Sequence, residues 1–158
     1  MRFCVPFSAV DSGAVADTPK TIAAVQAGDT AGYRCRLRAL AIGLSEDTPV
    51  DESIEVSVKR VDDVSAGGAG TKTAVTPTPM DSLSRAAVCS AGKNYTAEPT
   101  TYGEALFEVE LNGRNSLVKE WSPEDAPVCN RDQLVGLLVA PRTANAREVT
   151  GSLEFEEF

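Results

Sequence analysis

The chain has 158 residues, enough for one domain with a proper core. Its 15 basic and 23 acidic residues give a net charge of −8, which argues against nucleic acid and anionic membranes as partners, since both are bound through concentrated Lys and Arg. Histidine is absent, which removes Ser-His-Asp and Cys-His nucleophile systems and the commonest general base. The sequence therefore favours a protein without enzymatic activity.

The first residues show no targeting segment. Residues 1–7 lack the apolar run of a signal peptide, Pro6 stands where that run would be, and no apolar stretch approaches the roughly 20 residues that span a bilayer. We therefore expect folding in a cytoplasm, where the cysteines remain unpaired thiols. These are Cys4, Cys35, Cys89 and Cys129. Because no Cys-x-x-Cys pair is present, neither a zinc site nor any other cofactor is expected.

Alternating apolar and polar residues predict β-strands in the first third of the chain. Phe3, Val5 and Phe7 share one parity. Residues 18–25 could form a strand or a helix, and the β-rich setting favours a strand. In residues 33–44, apolar side chains first occupy the odd positions and later both odd and even positions. This pattern predicts a strand with one solvent-exposed face at its start that becomes buried on both faces further along.

The remaining two thirds of the chain contain more strand patterns and two long connections. Strands are predicted at residues 54–59, 105–111, 134–139 and 149–156. Residues 62–81 are rich in Gly, Pro, Ser and Thr and predict an exposed loop or arm, and residues 113–127 predict a second connection with Trp121 in the core. Residues 83–89 fit either a helical turn or a short strand. The pattern predicts one all-β domain over residues 1–158, an antiparallel β-sandwich of jelly-roll type with long loops.

Few residues qualify as functional candidates. The glycine-rich residues 67–73 resemble a phosphate loop, but the spacing is wrong and no helix pattern follows. Adjacent acids at 62–63, 124–125 and 156–157 are typical of surface charge. Arg34, Arg36 and Arg38 share one strand face over about 13 Å, either as a solvated stripe paired with acids of neighbouring strands or as a candidate site for docking onto an acidic protein surface.

Five stretches in order and spacing resemble a family of small virion-associated proteins from tailed bacteriophages. They are residues 5–10, 76–81, 121–125, 132–137 and 151–158. The resemblance implies a jelly-roll module and a capsid decoration or cement protein, and it implies no catalytic residues.

The resemblance implies a structural function without catalysis. Such a protein would bind the outer surface of the major capsid protein lattice, stabilise it, and contact other copies of itself as a trimer. The alternative is a tail, fibre or baseplate module that recognises a host glycan or another tail protein. A third class, a histidine-free hydrolase that uses carboxylates, stays open at this point.

Overall fold

The computed structural model describes residues 1–28, 33–45, 51–65, 68–82, 85–99 and 101–158. These residues contain twelve β-strands and no helix. In chain order the strands are β1 (Arg2–Asp11), β2 (Lys20–Gln26), β3 (Cys35–Leu44), β4 (Ser53–Val61), β5 (Thr71–Val75), β6 (Thr78–Pro79), β7 (Ser90–Ala97), β8 (Tyr102–Asn112), β9 (Ser116–Glu120), β10 (Val128–Cys129), β11 (Leu134–Pro141) and β12 (Glu148–Glu157).

The strands form two antiparallel sheets. Sheet A has the order β10-β3-β12-β1-β6, and β9 also pairs with β3. Sheet B has the order β5-β7-β2-β11-β4-β8. The inner faces of the two sheets share one hydrophobic core. The predicted β-sandwich is therefore confirmed, as is the strand expected in residues 18–25.

Strand β11 is buried along its whole length because it is covered on both faces. Val135 and Leu137 point into the main core between the sheets. Leu134 has the opposite parity and packs into a second cluster with Tyr95 and Tyr102 on the other face of sheet B. An uninterrupted apolar run is what burial on both faces requires.

The change of parity in residues 33–44 has a different cause from the predicted one. The pairing of β12 with β3 slips between Glu154 and Phe155, which pair with Ala39 and Leu37. Arg38 is therefore the extra residue of a β-bulge, and its carbonyl accepts a hydrogen bond of 3.0 Å from the Trp121 N–H. The core-facing positions change from odd to even at this bulge, so the strand keeps one inner face throughout.

Both predicted connections contain strands. Residues 62–81 include β5, which pairs with β7 at the edge of sheet B, and β6, which pairs with β1. Residues 113–127 include β9, which pairs with β3. The interpretation of these segments as loops throughout is therefore wrong, although most of their side chains are exposed. Trp121 is buried in the core, as predicted.

Candidate docking surface at one end of sheet A

Neighbouring strands bring arginines together at one end of sheet A. Arg2 on β1 and Arg36 on β3 both pair with Glu156 on β12, so the three side chains form a row across the outer face of the sheet. One step further, Phe158 and Arg34 exchange two backbone hydrogen bonds, of 3.3 and 3.1 Å. The N-terminal end of β3 and the C-terminal end of β12 therefore present arginine and an aromatic ring side by side.

Exposed apolar side chains lie beside these arginines. Met80 is 53% exposed and Phe158 is 49% exposed. The Met80 N–H donates to the Arg2 carbonyl at 3.1 Å, which places Met80 at the open side of β1. A groove of about 480 Å³ lies among Met1, Arg2, Met80 and Asp81. We name as the docking surface the side chains of Met1, Arg2, Arg34, Arg36, Met80 and Phe158.

The three arginines predicted from the sequence have three different environments. Arg34 is exposed, and no carboxylate pairs with it among the described residues. Arg36 Nε lies 3.1 Å from Glu156 Oε2, and its guanidinium lies 4.7 Å from the centre of the Phe158 ring. Arg38 is largely buried, with Nε 3.8 Å from the same carboxylate oxygen. Glu156 on the neighbouring strand therefore pairs closely with Arg36 and only loosely with Arg38, and no acidic side chain among the described residues pairs with Arg34.

The pKa of Glu156, whose carboxylate contacts both Arg36 and Arg38, is shifted. Burial acts to raise the pKa of Glu156, but the hydrogen bond and the charge of Arg36 together with the charge of Arg38 outweigh it, so that the net shift is downward. Glu156 is therefore ionised under ordinary conditions and offsets part of the positive charge on this face. Arg2 and Arg34 form no salt bridge among the described residues, although Asp81 lines the same groove as Arg2.

A buried carboxylate holds this end of sheet A against sheet B. The Glu157 side chain accepts hydrogen bonds of 2.7 Å from the N–H groups of Val88 and Cys89, and Arg85 Nη2 lies 2.6 Å from its other oxygen. Arg85 in turn lies 4.8 Å from the centre of the Tyr33 ring. The expectation of surface charge for residues 156–157 is therefore wrong for Glu157, which is 4% exposed. Its carboxylate serves as a structural acceptor beneath the docking surface.

A second polar cluster lies on the far face of sheet B. The Glu98 carboxylate accepts hydrogen bonds of 3.0 and 2.9 Å from the Thr21 N–H, and the Thr21 hydroxyl lies 2.9 Å from the Tyr102 hydroxyl. Burial raises the pKa of Tyr102 and of Tyr95, so both phenols are neutral. The Thr21 hydroxyl also donates to the Glu98 carboxylate, and the cluster closes the second apolar cluster.

Among the described residues, no three of Cys, Asp and Glu are grouped so that they could hold a metal ion. No helix in the described part of the chain is long and apolar enough to cross a membrane. Cys4, Cys35, Cys89 and Cys129 form no disulfide in the structure, in which all four are described.

Met1, Arg2, Met80 and Phe158 are the members of the docking surface that the sequence analysis did not predict. Phe158 has the same parity as the polar residues Glu154 and Glu156, so an aromatic residue on a wet face was the available signal. The position of Met80 follows from the pairing of β6 with β1, and a strand of two residues is too short to show an alternating pattern in the sequence.

No protein-family model matches the chain. No curated protein and no solved structure is significantly similar to it.

Proposed function

We propose that this chain is a non-enzymatic virion structural protein of a tailed bacteriophage, a decoration protein that binds the outer surface of the capsid. The docking surface contacts the major capsid protein, and the bound copies stabilise the lattice by bridging adjacent subunits. The observation that carries the proposal is the exposure of Met80 and Phe158 next to Arg2 and Arg34.

The composition of the docking surface fits a protein partner. Aromatic residues, Met and Arg are enriched at protein interfaces, and a few such residues supply most of the binding energy. Met80 and Phe158 provide the apolar centre, and Arg34 provides a charge that no described carboxylate offsets. On a chain of net charge −8, this local positive charge orients an approaching acidic surface. The partner surface is therefore acidic with an apolar centre.

The order of the strands supports a role in a virion. In sheet A, β1, β12, β3 and β9 are successive neighbours, and in sheet B the same is true of β2, β11, β4 and β8. We infer from this nesting of the first strands against the last that the chain follows the order of a jelly roll, with β5, β6 and β7 as an insertion. Jelly rolls are common in viral capsid proteins, but a fold alone does not define a function.

Contact between copies of the chain would add to the binding. A trimer that presents three docking surfaces to the lattice gains avidity without any new type of contact. Bridging of this kind gives a bound copy a slow release from the particle even where each single contact is weak.

The test is occupancy on undecorated particles that are assembled from the capsid protein encoded with this chain. We expect Met80→Ser with Phe158→Ser to lower the affinity at least tenfold, because the apolar centre is lost. Arg34→Gln should lower it less, and mainly at low salt, because exposed pairs contribute only about 0–1 kcal/mol each. Matched controls are Val15→Ser, which alters an apolar side chain that is 63% exposed beyond the other end of β1, and Arg114→Gln.

Two results would contradict the proposal. If the folded variant with Met80→Ser and Phe158→Ser binds particles at unchanged occupancy, the docking surface does not contact the capsid. A map of the intact particle that places the chain in the tail would instead favour a tail or baseplate module.

A further inference from the structure

Three thiols meet inside the sandwich at the end that carries the docking surface. Cys35 on β3 and Cys129 on β10 are directly opposite each other in sheet A. The Cys35 thiol neighbours the thiols of Cys129 and Cys89, which both raise its pKa, and Cys89 directly precedes β7 of sheet B. All three are at most 2% exposed. Their long separations in the sequence conceal this arrangement.

The pairing of β3 with β10 places two of these thiols directly opposite each other on the inner face of sheet A. The Leu37 N–H donates to the Pro127 carbonyl at 3.0 Å, which makes this a hydrogen-bonded site of the ladder. Cys35 and Cys129 lie two residues further along and occupy the next such site. The Cα atoms of such pairs are about 5.5 Å apart, within the range of about 4.4–6.8 Å that a disulfide spans.

We propose that Cys35 and Cys129 are a redox-sensitive pair that hydrogen peroxide converts to a disulfide, covalently joining β10 to β3. Cys89 approaches from the opposite sheet, without a strand register that aligns its backbone with either partner. A small oxidant is required, because the thiols are buried too deeply for a bulky disulfide reagent to reach. The proposal does not depend on the proposed function.

The environment of the two thiols assigns their roles in the reaction. The interaction with Cys35 lowers the pKa of Cys129, whose thiol donates a hydrogen bond of 2.8 Å to the Gln133 carbonyl. The same interaction between the two thiols, with burial, raises the pKa of Cys35. Because the thiolate is the nucleophile, the lower pKa of Cys129 makes it the thiol that reacts first.

The reaction is balanced in two steps. Cys129 Sγ attacks one peroxide oxygen and the O–O bond breaks, which gives a sulfenic acid and a hydroxide that takes up a proton to become water. Cys35 Sγ then attacks the sulfenic sulfur, its proton leaves with the hydroxyl group as a second water, and the S–S bond forms. Two thiols are oxidised and one peroxide is reduced to two waters.

The experiment is oxidation of the folded chain with hydrogen peroxide, followed by alkylation in denaturant and intact mass measurement. We expect a loss of 2 Da with two fewer alkylated thiols, and peptide mapping should identify the crosslink between residues 35 and 129. Cys35→Ser and Cys129→Ser should abolish the crosslink. Cys4→Ser, which alters the partly exposed thiol of β1, and Cys89→Ser should leave it intact.

The peptide map of the chain without substitutions shows which cysteines are crosslinked, even where a variant fails to fold. A crosslink between residues 35 and 89 would overturn the assignment. Four thiols that alkylate fully after peroxide treatment, or the addition of oxygen atoms without any crosslink, would overturn the proposal altogether.

Discussion

Arg38 has the least satisfied side chain on the outer face of sheet A. Only 12% of the side chain is exposed; its Nε lies 3.8 Å from Glu156 Oε2, and neither Nε nor Nη1 has a hydrogen-bond partner among the described residues. Arg36, two residues earlier, has a close carboxylate and an aromatic ring instead. A buried donor without a partner keeps its desolvation cost of about 1–3 kcal/mol, so two arginines on one strand face are expected to affect stability in opposite directions.

Substitution of each arginine by methionine tests this contrast. Arg38→Met keeps the length of the side chain and removes the unsatisfied donors, so we expect the free energy of unfolding to stay equal or to rise by about 1 kcal/mol. Arg36→Met removes the ion pair and the contact with Phe158, so we expect a decrease of about 0.5–1.5 kcal/mol. Urea unfolding of both variants gives the comparison. A decrease of more than 2 kcal/mol for Arg38→Met would show that its guanidinium is well paired.

The sequence indicated which side chains share the stripe but not their burial. Period-2 spacing placed Arg34, Arg36 and Arg38 on one face, and the shared contact of the last two with Glu156 agrees with this. The bulge that buries Arg38 depends on the pairing of β3 with β12, which no local pattern contains. The burial of Glu157 likewise depends on donors from Val88 and Cys89, far away in the sequence.

At the scale of the elements, Pro6 protects an open strand edge. Strand β1 pairs with β6 only at Phe3 and Cys4, so the rest of its outer edge has no partner strand among the described residues. The Arg2 carbonyl points to this edge, and Pro6 has the same parity, so its missing N–H lies where a further strand would bind. Proline at such a position opposes edge-to-edge association.

Two glycines of sheet A have opposite steric surroundings. A Cβ atom on Gly151 of β12 would overlap the carbonyl oxygen of Ala41 and come within 2.9 Å of Phe7 Cζ. A Cβ atom on Gly43 of β3 would make only ordinary contact, at 3.6 Å from Ser116 Cβ. The close approach of β12 and β3 at Gly151 is therefore possible only without a side chain.

Alanine at each position measures this effect. Gly151→Ala should lower the free energy of unfolding by about 1–3 kcal/mol, because β12 must move away from β3. Gly43→Ala is the matched control and should change it by less than about 1 kcal/mol, with a gain expected from the reduced entropy of the unfolded chain. Thermal unfolding followed by circular dichroism compares the two. Equal midpoints would contradict the steric argument.

The elements that the sequence predicted are those with a buried face. Strands β3, β4, β11 and β12 alternate or run apolar because one or both faces contact the core. The edge strand β5 exposes most of its side chains, so its pattern is that of a loop, and its pairing with β7 is tertiary. The composition of residues 62–81, rich in Gly, Pro and Thr, thus correctly predicted that most side chains are exposed, but it wrongly predicted a loop where the backbone forms a strand.

At the scale of the whole molecule, one side of the sandwich is closed by aromatic contacts between the sheets. Phe107 on β8 of sheet B meets Trp121, which follows β9 of sheet A, in a T-shaped arrangement with 5.9 Å between ring centres. Lys119 lies 5.7 Å from both rings. Because the connection from β8 to β9 crosses from one sheet to the other, these contacts hold both ends of the crossing in place.

Ion pairs distributed over the molecule determine how its stability depends on pH. Hydrogen bonds from Arg142 are the largest of the contacts that lower the pKa of Glu110, and the Thr143 hydroxyl, followed by Arg147, lowers that of Glu52. Each of these acids has a lower pKa in the folded state than in the unfolded state. Its contribution is therefore present above the unfolded value of about 4.3 and is lost as the pH falls through the folded value.

We therefore expect the midpoint of thermal unfolding to be constant between pH 5 and 7 and to fall below about pH 4.5. The plateau follows from the absence of histidine, the only side chain whose ordinary pKa lies in that interval. A pH series of melting curves checks both parts. In a variant with Glu52→Gln and Glu110→Gln the midpoint should be lower at pH 7, and its decrease on acidification should be smaller than in the unmodified chain. A midpoint that falls steadily from pH 7 to pH 5 in the unmodified chain would contradict the assignment, because none of these carboxylates binds a proton in that range.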